Sequence, residues 1–216
     1  PLMIVISEIF GVHEYIADVT RRFAKLGFFA VAPEFFYRAG DPSSMGTMAE
    51  LYSKIITKTP DVQVLQDVQA VMDWSKGQGV NPNKIALNGF CWGGRIVWLA
   101  CERLEKISTG IAWYGRLSGD RSLNNPTHPL DGVNQLSAPV LGLYGGKDTG
   151  IPTQQVEKMS SLLKEQTNNI SAKKSKLIIY PESGHAFHAD YRPSYNPSDA
   201  KAGWEEATKW LKQQGF

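Results

Sequence analysis

Three residues of this chain could do covalent chemistry together: a thiol, a carboxylate and an imidazole, each within two residues of a glycine. Cys91 is the centre of Asn88-Gly-Phe-Cys-Trp-Gly-Gly94, Asp148 ends Gly145-Gly-Lys-Asp148, and His185 ends Pro181-Glu-Ser-Gly-His185. The form Gly-x-nucleophile-x-Gly belongs to a sharp strand-to-helix turn. There the nucleophile takes a strained backbone conformation, so the residues two before and two after it must be small. Gly89 and Gly93 meet that demand. The same turn aims the amide of Trp92 and the N-terminus of the following helix at one spot, which favours a thiolate and a developing oxyanion.

A nucleophile of this kind needs a base within hydrogen-bond reach, and the base needs an acid to orient it. In a parallel sheet covered by helices the acid and then the histidine follow in chain order, each in a loop at the carboxyl end of a later strand. Asp148 and His185 stand in that order. Each residue also has an ordinary structural alternative: Cys91 as a small core residue, Asp148 as a turn or cap residue. What argues against three coincidences is their joint placement at three strand ends. His188 follows His185 at a spacing that metal ligands use, but no third or fourth ligand cluster accompanies the pair. No metal and no cofactor are expected, and His188 is read as an ordinary polar residue near the pocket. At the end of the first strand, Ile9 N–H is the candidate for a second oxyanion donor. Glu8 is an acid in an otherwise apolar segment, read either as an alternative proton acceptor for the thiol or as a solvent-facing loop residue.

The elements that would position these groups alternate between short apolar runs and longer amphipathic ones, the pattern of a mainly parallel sheet with helices on both faces. Strands are expected at 2–6, 28–32, 84–88, 109–114, 139–144 and 176–180. Helices are expected at 14–26, 61–76, 92–104, 154–164 and 200–213, with Asp61 as the cap of the second. Residues 115–137 read as a long polar connection of the kind that covers sites. Lys173, Lys174 and Lys176 read as a solvated loop before the last strand.

Bulk properties narrow the partners. The 216 residues, 42% of them hydrophobic, suffice for one core, and a single α/β domain over 1–216 is expected. The net charge of +2 comes from scattered Lys and Arg, so no nucleic-acid footprint is visible and a small-molecule partner is expected. Cys91 and Cys101 lie roughly 15 Å apart along one helix, beyond the reach of a disulfide. Unbridged thiols fit a reducing, cytoplasmic compartment. No signal peptide or membrane-spanning run is seen. The chain opens inside an apolar run without an initiator Met, as if residues upstream were missing.

Six segments together resemble the dienelactone hydrolase family, the carboxymethylenebutenolidases. They are Ser7-Glu-Ile-Phe-Gly-Val12, Ala32-Pro-Glu-Phe-Phe-Tyr-Arg38, Gly89-Phe-Cys-Trp-Gly-Gly94, Trp113-Tyr-Gly115, Gly145-Gly-Lys-Asp148 and Gly184-His-Ala-Phe187. The resemblance runs from the first strand to the last helix. It implies an α/β-hydrolase fold lacking its first strands here, a triad of Cys91, His185 and Asp148, and an oxyanion hole from the amides of Ile9 and Trp92. It also implies that Glu8 takes the thiol proton when substrate binds. The family's founding enzymes hold a lactone carboxylate with arginines, one of them four residues beyond the histidine, where this chain has Ala189. Arg38 and Arg192 are the candidate substitutes, and Phe36, Trp92, Trp113 and Tyr114 the candidate pocket walls. The expectation is a hydrolase of small esters or lactones, monomeric or homodimeric. A thioesterase, a general carboxylesterase, or a ligand-binding or redox-sensing protein using the same pocket are the alternatives.

Overall fold

The computed structural model describes residues 1–216. Six strands, β1 (Leu2–Ile6), β2 (Phe29–Val31), β3 (Ile85–Phe90), β4 (Thr109–Trp113), β5 (Val140–Gly145) and β6 (Lys176–Tyr180), form one sheet in the order β2-β1-β3-β4-β5-β6. Every neighbouring pair is parallel. The helices are α1 (Glu14–Lys25), α2 (Met48–Glu50), α3 (Asp61–Ser75), α4 (Trp92–Arg103), α5 (Thr153–Glu165), α6 (Ile170–Lys174) and α7 (Pro197–Gln213). The four inner strands are buried along their whole length, as continuous apolar runs in a sheet covered on both sides should be.

Alternation along β4 shows the two layers. A side chain at Gly110 would lie 2.5 Å from Val97 of α4, whereas Trp113, three residues on and therefore on the other face, packs its ring against Gly203 of α7. The large buried aromatics have partners for their polar ends: Trp98 Nε1 donates to the Tyr144 hydroxyl at 3.0 Å, and Trp113 Nε1 to Asn88 Oδ1 at 2.9 Å.

Register decides where the functional loops emerge. Ile6 is level with Gly89, Phe90 with Trp113, and Gly145 with Tyr180. The loops after β1, β3, β4, β5 and β6 therefore leave the same edge of the sheet.

Some local expectations change. β3 continues through Gly89 and Phe90, so the turn is confined to Cys91. Lys173 and Lys174 belong to α6, whose N-cap Asn169 accepts from Ala172 N–H at 2.9 Å, rather than to a loop. Residues 48–58 form α2 followed by a π-helical and a 3-10 turn, a run too short and irregular for periodicity to reveal. Asp61 does not cap α3. Its carboxylate is bound elsewhere, as described below.

Candidate active site

Cys91 has φ 54° and ψ −113°, a conformation that costs an L-residue about 1–3 kcal/mol and persists only where its surroundings enforce it. The enforcement is backbone contact. A Cβ on Gly89 would lie 2.2 Å from the Gly93 carbonyl oxygen, and one on Gly93 would lie 2.4 Å from that of Ile6. The two glycines let β3, α4 and the end of β1 approach at main-chain distance. Cys91 N–H is held by Trp113 O at 2.9 Å.

The loops carrying the acid and the histidine are joined in the same manner. A Cβ on Gly145 would meet Ser183 O at 2.5 Å and one on Gly146 would meet Pro181 at 2.7 Å. Gly146 N–H donates to Tyr180 O and Lys147 N–H to Ser183 O, both at 2.8 Å. This brings Asp148 Oδ2 to 2.6 Å from His185 Nδ1, and His185 Nε2 to 3.1 Å from Cys91 Sγ. Asp148 Oδ1 accepts from the amides of Gly150 and Ile151 at 2.9 and 3.1 Å, which fixes the carboxylate. An ionised carboxylate only accepts, so Nδ1 carries a proton and Nε2 faces the sulfur. Burial opposes protonation of His185, but its hydrogen bonds to Asp148 and Cys91 outweigh that and push the imidazole up to about 10.

Ile9 and Trp92 both line the cavity beside Cys91, and neither amide donates a hydrogen bond within the protein. The cavity is about 420 Å³. Tyr114, at φ 38°, forms part of its wall, with its ring 5.2 Å from that of His185. Glu8 does not line the cavity; it is 2% exposed and accepts from the Tyr191 hydroxyl at 2.5 Å.

The other candidates fall elsewhere. Arg38 is exposed and forms a two-pronged pair with Asp67 at 2.7 and 2.8 Å. Phe36 is wholly buried, 4.7 Å from the Trp92 ring, in a small cluster with Leu51 and Ile55. Arg192 lies over the rings of Phe10 and Tyr191. None of the three lines the cavity. Trp113 is core. His188 is core as well, stacked on Phe90, hydrogen-bonded through Nδ1 to the Tyr15 hydroxyl at 2.6 Å, and kept neutral because burial, aided by Arg22, lowers it to about 3. Ala189 is completely buried.

Sequence reasoning missed the far end of the cavity, which is lined by Tyr52, Arg95, Arg116, Asn125 and His128. Arg95, one helical turn after Cys91, is buried against Asp61 with contacts of 2.6 and 2.7 Å, and also donates to Thr127 O. Asn125 Nδ2 donates to Asp61 Oδ1 at 2.9 Å. Arg116 is exposed and makes no ion pair, so it is the cation at the cavity that lacks a carboxylate partner. Its place just past the end of β4, where site loops emerge, was the available signal.

Comparison with known proteins bears on the family and the fold. The model of the dienelactone hydrolase family matches residues 1–215. A protein of Salmonella typhimurium described as "Putative carboxymethylenebutenolidase" is 46% identical over 215 residues, covering 100% of this chain and 78% of that one. The crystal structure of a "Putative Dienelactone Hydrolase" from Klebsiella pneumoniae superposes with a TM-score of 0.94 at 44% identity, covering 99% of this chain and 87% of that one. An α/β hydrolase from a deep-sea metagenome library, at 12% identity and a TM-score of 0.68 over 99% of this chain and 84% of that one, shares the fold alone. With a full-length family match and relatives at this level of identity, the chain belongs to the dienelactone hydrolase family and has the α/β-hydrolase fold.

Proposed function

We propose that this hydrolase opens a small carboxylic ester or lactone through a thiolate on Cys91. The observation that carries the reading is the unbroken chain of contacts from Sγ to Nε2 and from Nδ1 to Oδ2, drawn from three separate loops and ending in the cavity. A histidine whose protonated form is favoured supports transfer of the thiol proton to Nε2 as the sulfur attacks.

In this scheme Sγ attacks the carbonyl carbon and the carbonyl oxygen becomes an oxyanion facing the amides of Ile9 and Trp92. His185 then gives its Nε2 proton to the departing oxygen, leaving a thioester on Cys91; for a lactone the leaving alcohol or enol stays tethered to the acyl group. Water attacks the thioester while Nε2 takes its proton, and the thiolate departs with the acid released. Asp148 holds the imidazole tautomer throughout. Glu8 serves as a second acceptor for the thiol proton.

The cavity suits a small acyl group against Ile9, Trp92 and Ile151, with a polar or acidic group reaching Arg116. The relatives' name supports a lactone, since a butenolide is a small unsaturated one. The test is turnover of a panel of small lactones, aryl esters and thioesters by wild type and Cys91→Ala. The variant is expected to lose at least about 10³-fold in kcat, and unchanged turnover would refute the scheme. Arg116→Gln should raise KM for acidic esters roughly tenfold, the cost of one charged hydrogen bond, while leaving neutral esters nearly untouched.

A further inference from the structure

Arg116, the cavity cation without a carboxylate partner, sits on a connection whose two halves are held differently. The second half is tied to its surroundings by several bonds: Asn124 Nδ2 donates to Thr57 O at 2.6 Å, Asn125 Nδ2 to Asp61 Oδ1 at 2.9 Å, and Arg95 to Thr127 O at 2.7 Å. The half that carries Arg116 starts from Gly115, where a Cβ would lie 2.3 Å from the Gly94 carbonyl carbon of α4. Past Arg116 it is joined to the rest by Leu130 N–H to Leu117 O at 3.1 Å, by the largely exposed pair of Arg121 and Asp131, and by one buried polar side chain, His128.

His128 Nδ1 lies 3.3 Å from Arg95 Nε, and its Nε2 lies 3.1 Å from Asp120 O. A guanidinium only donates, so Nδ1 accepts; the proton of the neutral ring is then on Nε2 and is donated to the Asp120 carbonyl. Gly119 packs between the two side chains. A Cβ there would lie 3.2 Å from Arg116 Cδ and 3.5 Å from His128 Cε1, so the arginine stem and the imidazole share one main-chain wall.

We propose that His128 is the positioning residue of Arg116: through Arg95 on one side and the Asp120 carbonyl on the other, it fixes to α4 the short segment from which the guanidinium reaches an anionic group of the substrate. This role rests on the hydrolase reading and on Arg116 as the anion-binding group.

The joint requires a neutral ring. A proton added at Nδ1 would turn N–H against N–H and set a second cation beside Arg95. Burial first, and Arg95 with it, hold the imidazole below the ordinary 6.5, against the Asp120 carbonyl, Asp131 and Asp61, which favour the charged ring. Of the other charged groups around it, α4 carries Arg103, bonded to the Thr127 hydroxyl, and Glu102, which burial pushes up to about 9. The connection itself carries Arg116, the Asp120 carboxylate and Arg121, the last paired with Asp131. The joint is therefore closed at neutral pH and opens as pH falls below 6.5 and the ring takes up its proton.

The test compares two aryl acetates of similar size, one bearing a sulfonate that stays ionised throughout and one neutral. The readout is the ratio of kcat/KM for the anionic ester over the neutral one, in which the titration of Cys91 and His185 cancels. Near neutrality His128→Leu is expected to lower this ratio about three- to tenfold, chiefly through KM, the loss of neutral hydrogen bonds. In the Arg116→Gln background the same substitution should lower it no further. His128→Gln, whose amide can still donate to Asp120 O but takes up no proton, should keep most of the ratio and hold it as pH falls. In wild type the ratio should decline together with protonation of His128 followed by nitrogen-15 NMR, and the same spectra should show the Nε2–H tautomer near neutrality. A ratio indifferent to His128→Leu, an equal loss with and without Arg116, or an Nδ1–H tautomer overturns the proposal. Wild type that turns over neither ester overturns the hydrolase reading and this role with it. If both esters are turned over and the ratio responds to Arg116→Gln but not to His128→Leu, the hydrolase reading stands and this role alone falls.

Discussion

Asp148 divides its work between two oxygens, and that division makes its replacement informative. Oδ1 is held by two main-chain amides, which an asparagine oxygen would equally satisfy. The amide NH2 would then occupy the place of Oδ2 and donate to His185 Nδ1, leaving the proton on Nε2 opposite the sulfur. The imidazolium would also lose its counter-charge. Asp148→Asn is therefore expected to fold normally, by circular dichroism, and to lose about 10²–10⁴ in kcat through the wrong tautomer. At this scale Cys91, Asp148 and His185 were legible in the sequence because turn chemistry surrounds each of them. Arg38, Phe36 and Arg192 were not legible as non-lining residues: Asp67 captures the first, Trp92 buries the second and the Phe10 ring holds the third, and none of these partners is near in the chain.

Between elements, the buried pair of Arg95 and Asp61 ties the first turn of α4 to the start of α3, and its bonds to Thr127 and Asn125 pull the connection after β4 onto the cavity. Removing one partner leaves the other charged, buried and uncompensated. Arg95→Met is expected to destabilise the fold by about 3–5 kcal/mol, and Arg95→Met with Asp61→Leu by considerably less, as read by urea denaturation. The polar, turn-rich composition of residues 115–137 marks an irregular connection, and Arg116, Asp120, Asn125 and His128 from it line the cavity. Asp61 after Pro60 has a local explanation as a helix cap that satisfies propensity, while its actual partner lies 34 residues away.

Across the whole molecule, two histidines of one loop respond to pH in opposite senses. His188 falls from the ordinary 6.5 to about 3, through burial first and Arg22 second, so the unfolded chain takes up a proton that the folded one refuses. Stability from this residue is present above 6.5 and declines as pH falls toward 3. His185 rises to about 10, so its contribution is whole below 6.5 and is lost as pH climbs through 10. Stability is expected to peak near neutrality. Denaturation curves across pH for His188→Gln should show a shallower decline on the acid side than wild type, with the alkaline side unchanged.

Alternating apolar runs and glycine-marked turns were enough to specify a parallel sheet, its covering helices and the three loops that carry sulfur, carboxylate and imidazole, because those signals are local and obey fixed periods. Strand order, register and side-chain direction belong to the tertiary structure. They decide which of several candidate arginines reaches the cavity, that Arg95 serves Asp61, and that Glu8 faces His13 rather than solvent. Such pairings join residues distant in the chain, and what selects them is the requirement that every buried charge and polar atom find a partner once the core has closed.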